Sequence, residues 1–277
     1  MIYELLESVL PFSWVQYDFM KQAFLAILLI TPLFGILGTM IVNHKMAFFS
    51  DALGHSALTG VAVGVLFGIP DTNLAMLIFA VLFALALNQI KSRNLMATDT
   101  IISVFSSFSI AIGLVILAQG GNFSKYSSLL VGDILSITPR EILYLVLLLI
   151  GTLIFWIFCS NQLNSISINR SLAASRGIRV KLIENLFAVC IAVIVMLSIK
   201  WVGILIINAL LILPAASARN ISENMREYHF FSILFSLFSG IVGLIISYYV
   251  NTATGPTIVI IASVIFFATY FYSRHGK

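Results

Sequence analysis

The run EILYLVLLLIGTLIFWIFCS, residues 141–160, decides the fold. After Glu141 it carries no charge as far as Ser160. Polar and apolar positions do not alternate along it, so it is not a barrel strand. Its length is that of a helix crossing the hydrocarbon of a bilayer, about 20 residues. Peptide groups find no water there, and a helix satisfies them all within one segment. Eight further runs of this kind lie at about 20–42, 46–68, 72–90, 100–118, 182–200, 202–217, 228–249 and 256–273. The fold class is therefore all-α, a polytopic transmembrane helix bundle of about eight or nine spans. The stretch 182–217 reads either as two spans or as one span plus a broken half-helix.

Of the 277 residues, 60% are hydrophobic and 9% charged, with a mean hydropathy of +1.08. A soluble domain carries about 25% charged residues, so a soluble enzyme is excluded and lipid is the solvent. The net charge of +4 does not point to nucleic acid. The basic residues sit in the gaps between apolar runs, where they set orientation. With the N-terminus outside, Lys45, Lys91, Arg93, Arg170, Arg176, Arg179, Lys181, Arg219, Arg226, Arg274 and Lys277 fall in the cytoplasm. That is eleven, against four outside (Lys21, Lys125, Arg140 and Lys200). The expectation is a multi-pass membrane protein with its C-terminus in the cytoplasm. Residues 1–19 hold Glu4, Glu7 and Asp18 and no basic residue, and read as an interfacial segment rather than a cleavable signal. The remainder of 1–277 shows no internal repeat and reads as a single membrane domain. Cys159 and Cys190 lack a CxxC spacing and read as packing residues.

An ionisable residue inside a span is the informative exception. The second run reads MAFFSDALGHSALTG, residues 46–60, with Asp51 and His55 four apart. They share a helix face, about 6 Å apart along the axis. An aspartate at the centre of a span costs about 2.5–3.5 kcal/mol to insert, so it faces the bundle interior, a wet path or a partner. A carboxylate and an imidazole on adjacent turns are half of a divalent-metal site, suited to zinc, iron, nickel or manganese. Two copies about a two-fold axis would bring four ligands together. A structural Asp–His tie and a proton relay are the other readings of the same pair.

The same helix carries a small-residue stripe, Ala52, Ser56, Gly60, Gly64 and Gly68, which reads as packing against a neighbouring helix of the same chain. His44, beside Lys45, reads as a solvated loop residue; His229 and His275 read as interfacial. Gly35, Gly38, Gly203, Pro214, Gly240 and Gly243 read as weak points or breaks in spans. Asp133 reads as a loop aspartate, or as the cap of a short re-entrant helix. No GxxxxGK[ST] loop exists, so ATP, if used, is hydrolysed by a separate subunit. Two polar cytoplasmic loops, 161–181 and 217–229, offer it a contact surface.

Three stretches carry a resemblance. SDALGHSALTGVA, residues 50–62, resembles the second helix of the metal-ion permeases of bacterial ABC importers, the zinc and manganese uptake family. ALLILPAASAR, residues 209–219, is similar to that family's Pro-Ala-Ala-Thr-Ala-Arg segment, and residues 172–177 to its Ala-x-x-x-Gly stretch. The likeness runs from about residue 15 to 273. Thr59 stands where the family commonly has Pro, and Asn251 where it often has Asp. The resemblance implies the permease fold of B12, siderophore and metal importers, in the plasma (inner) membrane of a bacterium. It implies a transporter subunit rather than an enzyme, with no resident cofactor, and with zinc ahead of manganese as cargo. The implied partners are a second copy of the chain, two cytoplasmic ATPase subunits and an extracytoplasmic metal-binding protein. Asp51 and His55 would hold the metal at the dimer axis. Arg219, Asn220, Ser222, Glu223 and Arg226 would be the main ATPase contacts, with Arg176 and Gly177 second. A permease for a larger chelate, an ATP-independent metal channel and an intramembrane metal-dependent hydrolase are the rivals.

Overall fold

The computed structural model describes residues 13–93, 98–119, 123–126 and 128–275. Every apolar run is a helix, and the described residues contain no strand. Among the described residues nine long helices follow in order: α1 Asp18–Asn43, α2 Ala47–Leu66, α3 Thr72–Arg93, α4 Thr98–Gln119, α5 Pro139–Ile168, α6 Val180–Val202, α7 Ile204–Ile221, α8 Met225–Val250 and α9 Thr254–His275. Eight of them are long and apolar enough to cross a membrane; the apolar part of α7, Ile206–Ile221, is shorter. The stretch 182–217 is thus two helices, one of spanning length and one below it. Gly203 separates them at φ +91°, a conformation open to a residue without Cβ. Most of the interfacial segment 1–19 lies outside the described residues. Within it, Trp14 and Val15 on the short helix Ser13–Gln16 are buried.

The connections are shorter than the polarity of the sequence implies. Helix α5 continues through the polar residues to Ile168, and a short helix, Arg170–Ser175, follows at once. Its N-cap is Asn169, whose side chain accepts from the Leu172 amide, and Gly177 follows it at φ +83°. The 217–229 loop reduces to residues 222–224. Asn224 caps α8 by accepting from the Glu227 amide at 3.0 Å, and Glu227 reaches back to the Glu223 amide at 3.0 Å. This reciprocal cap resembles a capping box, and it starts the helix three residues before the apolar run. Asp133 caps a single 3₁₀ turn, Ile134–Ser136, accepting from the Leu135 amide at 3.0 Å.

The chain forms two compact units. One comprises residues 1–39, 132–151 and 209–277. In it α8 lies along α1, where Ser232 and Ser236 donate to the carbonyls of Gly35 and Thr31, each at 2.7 Å. Hydroxyl-to-carbonyl bonds of this kind hold helices together where the hydrophobic effect cannot. Gly35, Gly38, Gly240 and Gly243 do not break their helices. Each is a point of close approach: a Cβ on Gly35 would stand 2.9 Å from the Ile233 Cα, and one on Gly243 2.7 Å from the Ile258 Cα. Pro214 likewise lies inside α7. Asn251 ends α8 in the left-handed region, φ 55° and ψ 47°. Asn accepts that conformation more readily than a branched residue, at a saving of about 1–2 kcal/mol. Asn251→Gly should therefore leave thermal stability in detergent nearly unchanged, whereas Asn251→Val should lower it by about that amount.

The other unit, residues 40–131 and 152–208, is built around α2. Helices α3, α4 and α6 pack on it, and α6 also packs on α3. Gly60 and Gly64 meet α3, where a Cβ would come within 3.0 Å of the Met76 Cα and 2.5 Å of the Ala75 Cβ. The small-residue stripe is thus a packing face within one chain, except for Gly68, which turns out of the helix at φ +66°. On α4, Gly113 lies against Thr59, whose hydroxyl donates to the Ser109 carbonyl at 2.6 Å. The first turn of α7 closes another side, with Ser50 donating to Asn208 at 2.5 Å and Ile204 and Ile207 beside Gly54.

Candidate functional site

Helix α2 buries most of its residues, from Phe49 to Gly64. Three that stay accessible along its first half are Phe48, Asp51 and His55. Spacings of three and four put them in one stripe. The Asp51 carboxylate is 42% exposed and the His55 imidazole 31%, and Asp51 Oδ1 stands 3.7 Å from His55 Nε2. That is beyond hydrogen-bond length. It is near the separation of two donors on one tetrahedral zinc, about 3.4 Å for bonds of about 2.1 Å. Asp51 is the fifth residue of α2 and His55 the ninth. The carboxylate therefore sits about 6 Å above the start of the helix rather than at its centre, with the imidazole one turn deeper.

Asp51 opens onto a groove of about 530 Å³ between the first turns of α2 and α4. Phe48, Asp51 and Ala52 line one side; the other is Asp99 to Ser107 of α4, including Thr100, Ser103 and Ser106. Deeper than the groove, the two helices are pinned together at Thr59–Ser109. Asp99 stands just before the apolar run that begins at about residue 100. It belongs to the first turn of α4. The signal that finds this wall is the recurrence of Asp99, Ser103, Ser106 and Ser107 on one face of an otherwise apolar run.

Among the described residues no group of three or more His, Cys, Asp or Glu side chains converges. Asp51 and His55 thus stand as a pair, with no third such side chain beside them among the described residues. His44 and His229 are engaged elsewhere. His44 is half-buried rather than a free loop residue: its Nε2 pairs with the Leu163 carbonyl at 3.1 Å, and its ring stands 5.6 Å from that of Phe187. His229 is half-buried in the second turn of α8, its Nδ1 2.9 Å from the Thr39 hydroxyl. The His275 side chain falls outside the described residues. Both cysteines are free thiols.

The residues expected to meet an ATPase fall at two helix ends. At the α7–α8 junction the Arg219 guanidinium lies over the Tyr228 ring at 5.4 Å, and Asn220 donates to Thr269 at 3.2 Å. Glu223 and Arg226 are exposed there and Ser222 is half-buried. Arg176 and Gly177 are exposed at the end of the short helix Arg170–Ser175. Beside them is an open groove of about 650 Å³ lined by Arg170, Ser171, Arg179 and Lys181. Arg170 is held there by Glu184 at 2.7 Å.

The profile of one protein family, the ABC 3 transport family, matches residues 16–273. The chain belongs to that family. The chain is 31% identical to the high-affinity zinc uptake system membrane protein ZnuB of Haemophilus influenzae, over 92% of this chain and 98% of the relative. It is 28% identical to the manganese import system permease protein ScaB of Streptococcus parasanguinis, over 92% and 91%. The solved structure of PsaBC from Streptococcus pneumoniae in complex with Fab superposes with a TM-score of 0.79 at 26% identity, covering 98% of this chain and 95% of that one. The resemblance carried by residues 50–62, 172–177 and 209–219 is borne out at the level of the family. The all-α membrane fold is borne out with it. This member of the ABC 3 transport family is a transporter subunit and not an enzyme.

Proposed function

We propose that this ABC 3 family member is the permease subunit of an ATP-driven importer for a divalent transition metal, zinc ahead of manganese. The observation that carries this is the outward-facing Asp51–His55 stripe on a helix that buries most of its residues in its own chain. Neither group faces lipid without cost, and one chain supplies only half a coordination shell. A second copy set against this groove supplies both remedies: it covers the stripe and brings a second Asp51 and His55. Imidazole favours zinc, and the carboxylate keeps manganese in range. The names of the zinc and manganese relatives support the same class of cargo.

In this reading the homodimer sits in the inner (plasma) membrane of a bacterium, N-terminus outside and C-terminus in the cytoplasm. It takes metal from an extracytoplasmic binding protein and works with two cytoplasmic ATPase subunits. These dock first on Arg219, Asn220, Ser222, Glu223 and Arg226, and second on Arg176 and Gly177. ATP binding and release rock the two copies, so that the Asp51/His55 site opens alternately to each side. Radiometal uptake into cells expressing the chain with its ATPase tests the cargo and the energy source together. Zinc uptake that manganese competes only weakly, and that stops when the ATPase loses its phosphate-loop lysine, is the expected result. Uptake indifferent to that lysine would instead mark a channel.

A further inference from the structure

Across the groove from Asp51, α4 presents a row of oxygen-bearing side chains. Asp99, Ser103, Ser106 and Ser107 all line it. They extend about 12 Å along the helix. Several helical serines elsewhere in this chain return their hydroxyls to their own backbone, Ser56 to the Leu53 carbonyl and Ser217 to Leu213, and Ser232 and Ser236 give theirs to a neighbouring helix. Among the described residues the three α4 serines and Asp99 have no such partner. Hydrocarbon offers them none. The adjoining side of α4 shows what a lipid face looks like here, with Phe108 65% and Val115 56% exposed. The helix therefore has two open faces of contrary chemistry, and the polar one is suited to water or an ion.

We infer that this row is the second wall of the cation path. An ion held partly hydrated by Asp51 and His55 is flanked across the groove by the hydroxyls of Ser107, Ser106 and Ser103, and is received by the Asp99 carboxylate at the open end of the groove. The inference rests on the reading of Asp51 and His55 as the cation site. Its chemistry is a descending series of ligands. The first station offers a nitrogen and a carboxylate; the row offers oxygen alone, which holds a zinc-like ion less firmly and tolerates its remaining waters. The ion can therefore leave toward Asp99 without being trapped.

Two measurements on the full chain in membranes with its ATPase test this. In the first, Ser103→Cys and Ser107→Cys are compared with Phe108→Cys and Val115→Cys, using a charged, water-soluble methanethiosulfonate. Rates are read over the labelling of native Cys159 and Cys190. The row cysteines should react at least tenfold faster than the two lipid-face cysteines, and Cd2+ should slow them. In the second, Asp99→Asn should lower the maximal rate of radiometal uptake about tenfold with KM unchanged, because capture at Asp51 comes first, and Asp99→Glu should restore it. Equal labelling of the two faces, or normal uptake by Asp99→Asn, overturns the path. If Asp51→Asn still loses uptake in the same assay, only the path has failed. If Asp51→Asn transports normally, the parent reading has failed with it.

Discussion

Metal uptake by Asp51→Ala and by His55→Ala is expected to fall by about a hundredfold or more, while both proteins reach the membrane in normal amount. The magnitude follows from symmetry. Loss of a group that merely orients a metal ligand costs about 10–100-fold in affinity. In a two-fold dimer each substitution removes a direct ligand twice. Insertion is not at risk, because removing the aspartate lowers the cost of placing α2 in lipid by up to about 2.5–3.5 kcal/mol. The same variants separate the competing readings of the pair. A structural tie would lose thermal stability and keep its uptake rate. The geometry already disfavours a tie, since 3.7 Å between Asp51 Oδ1 and His55 Nε2 is too long for a hydrogen bond. Radiometal uptake, normalised to surface expression, checks the result.

The second large effect is on the fold. A Cβ on Gly38 would lie 2.0 Å from the Leu211 carbonyl oxygen and 3.2 Å from the Ala215 Cβ. The obstacle at the shorter distance is backbone, so no rotamer relieves it, and α1 must move off α7. Overpacking of this kind costs about 1–3 kcal/mol for small intrusions and more for large ones. Gly38→Ala should lower the unfolding midpoint in detergent, and Gly38→Leu should prevent recovery of folded protein. Gly151 is the matched control. Nothing lies within 4 Å of its Cβ position, and alanine favours a helix over glycine by about 1 kcal/mol. Gly151→Ala should therefore be neutral or stabilising. A chromatographic thermal-stability assay distinguishes the three.

These glycines also mark where sequence reading stops. The nine long helices among the described residues coincide with the apolar runs, because long uncharged runs admit one backbone solution in lipid; only the division of 182–217 stays open in the sequence. Their ends are less legible. The α5 run continues through polar residues to Ile168, and the Asn224–Glu227 cap starts α8 before its apolar stretch. Gly35, Gly38, Gly240 and Gly243 were misread as weak points. Whether a glycine breaks a helix or lets another backbone approach depends on a neighbour far away in the sequence. Asp51 and His55 were found because their spacing on one helix is local information. His44 was misjudged and Asp99 set outside its apolar run because a hydrogen bond to Leu163 and the start of α4 are not.

In the proposed dimer, Asp51 and His55 of two copies of this chain hold one cation between them. Equilibrium metal binding to the purified full complex, counted per chain, tests it most directly. The account predicts one tightly held zinc for every two chains, displaced poorly by manganese and absent from both Asp51→Ala and His55→Ala. One metal per chain, or stoichiometry unchanged in those variants, would contradict it.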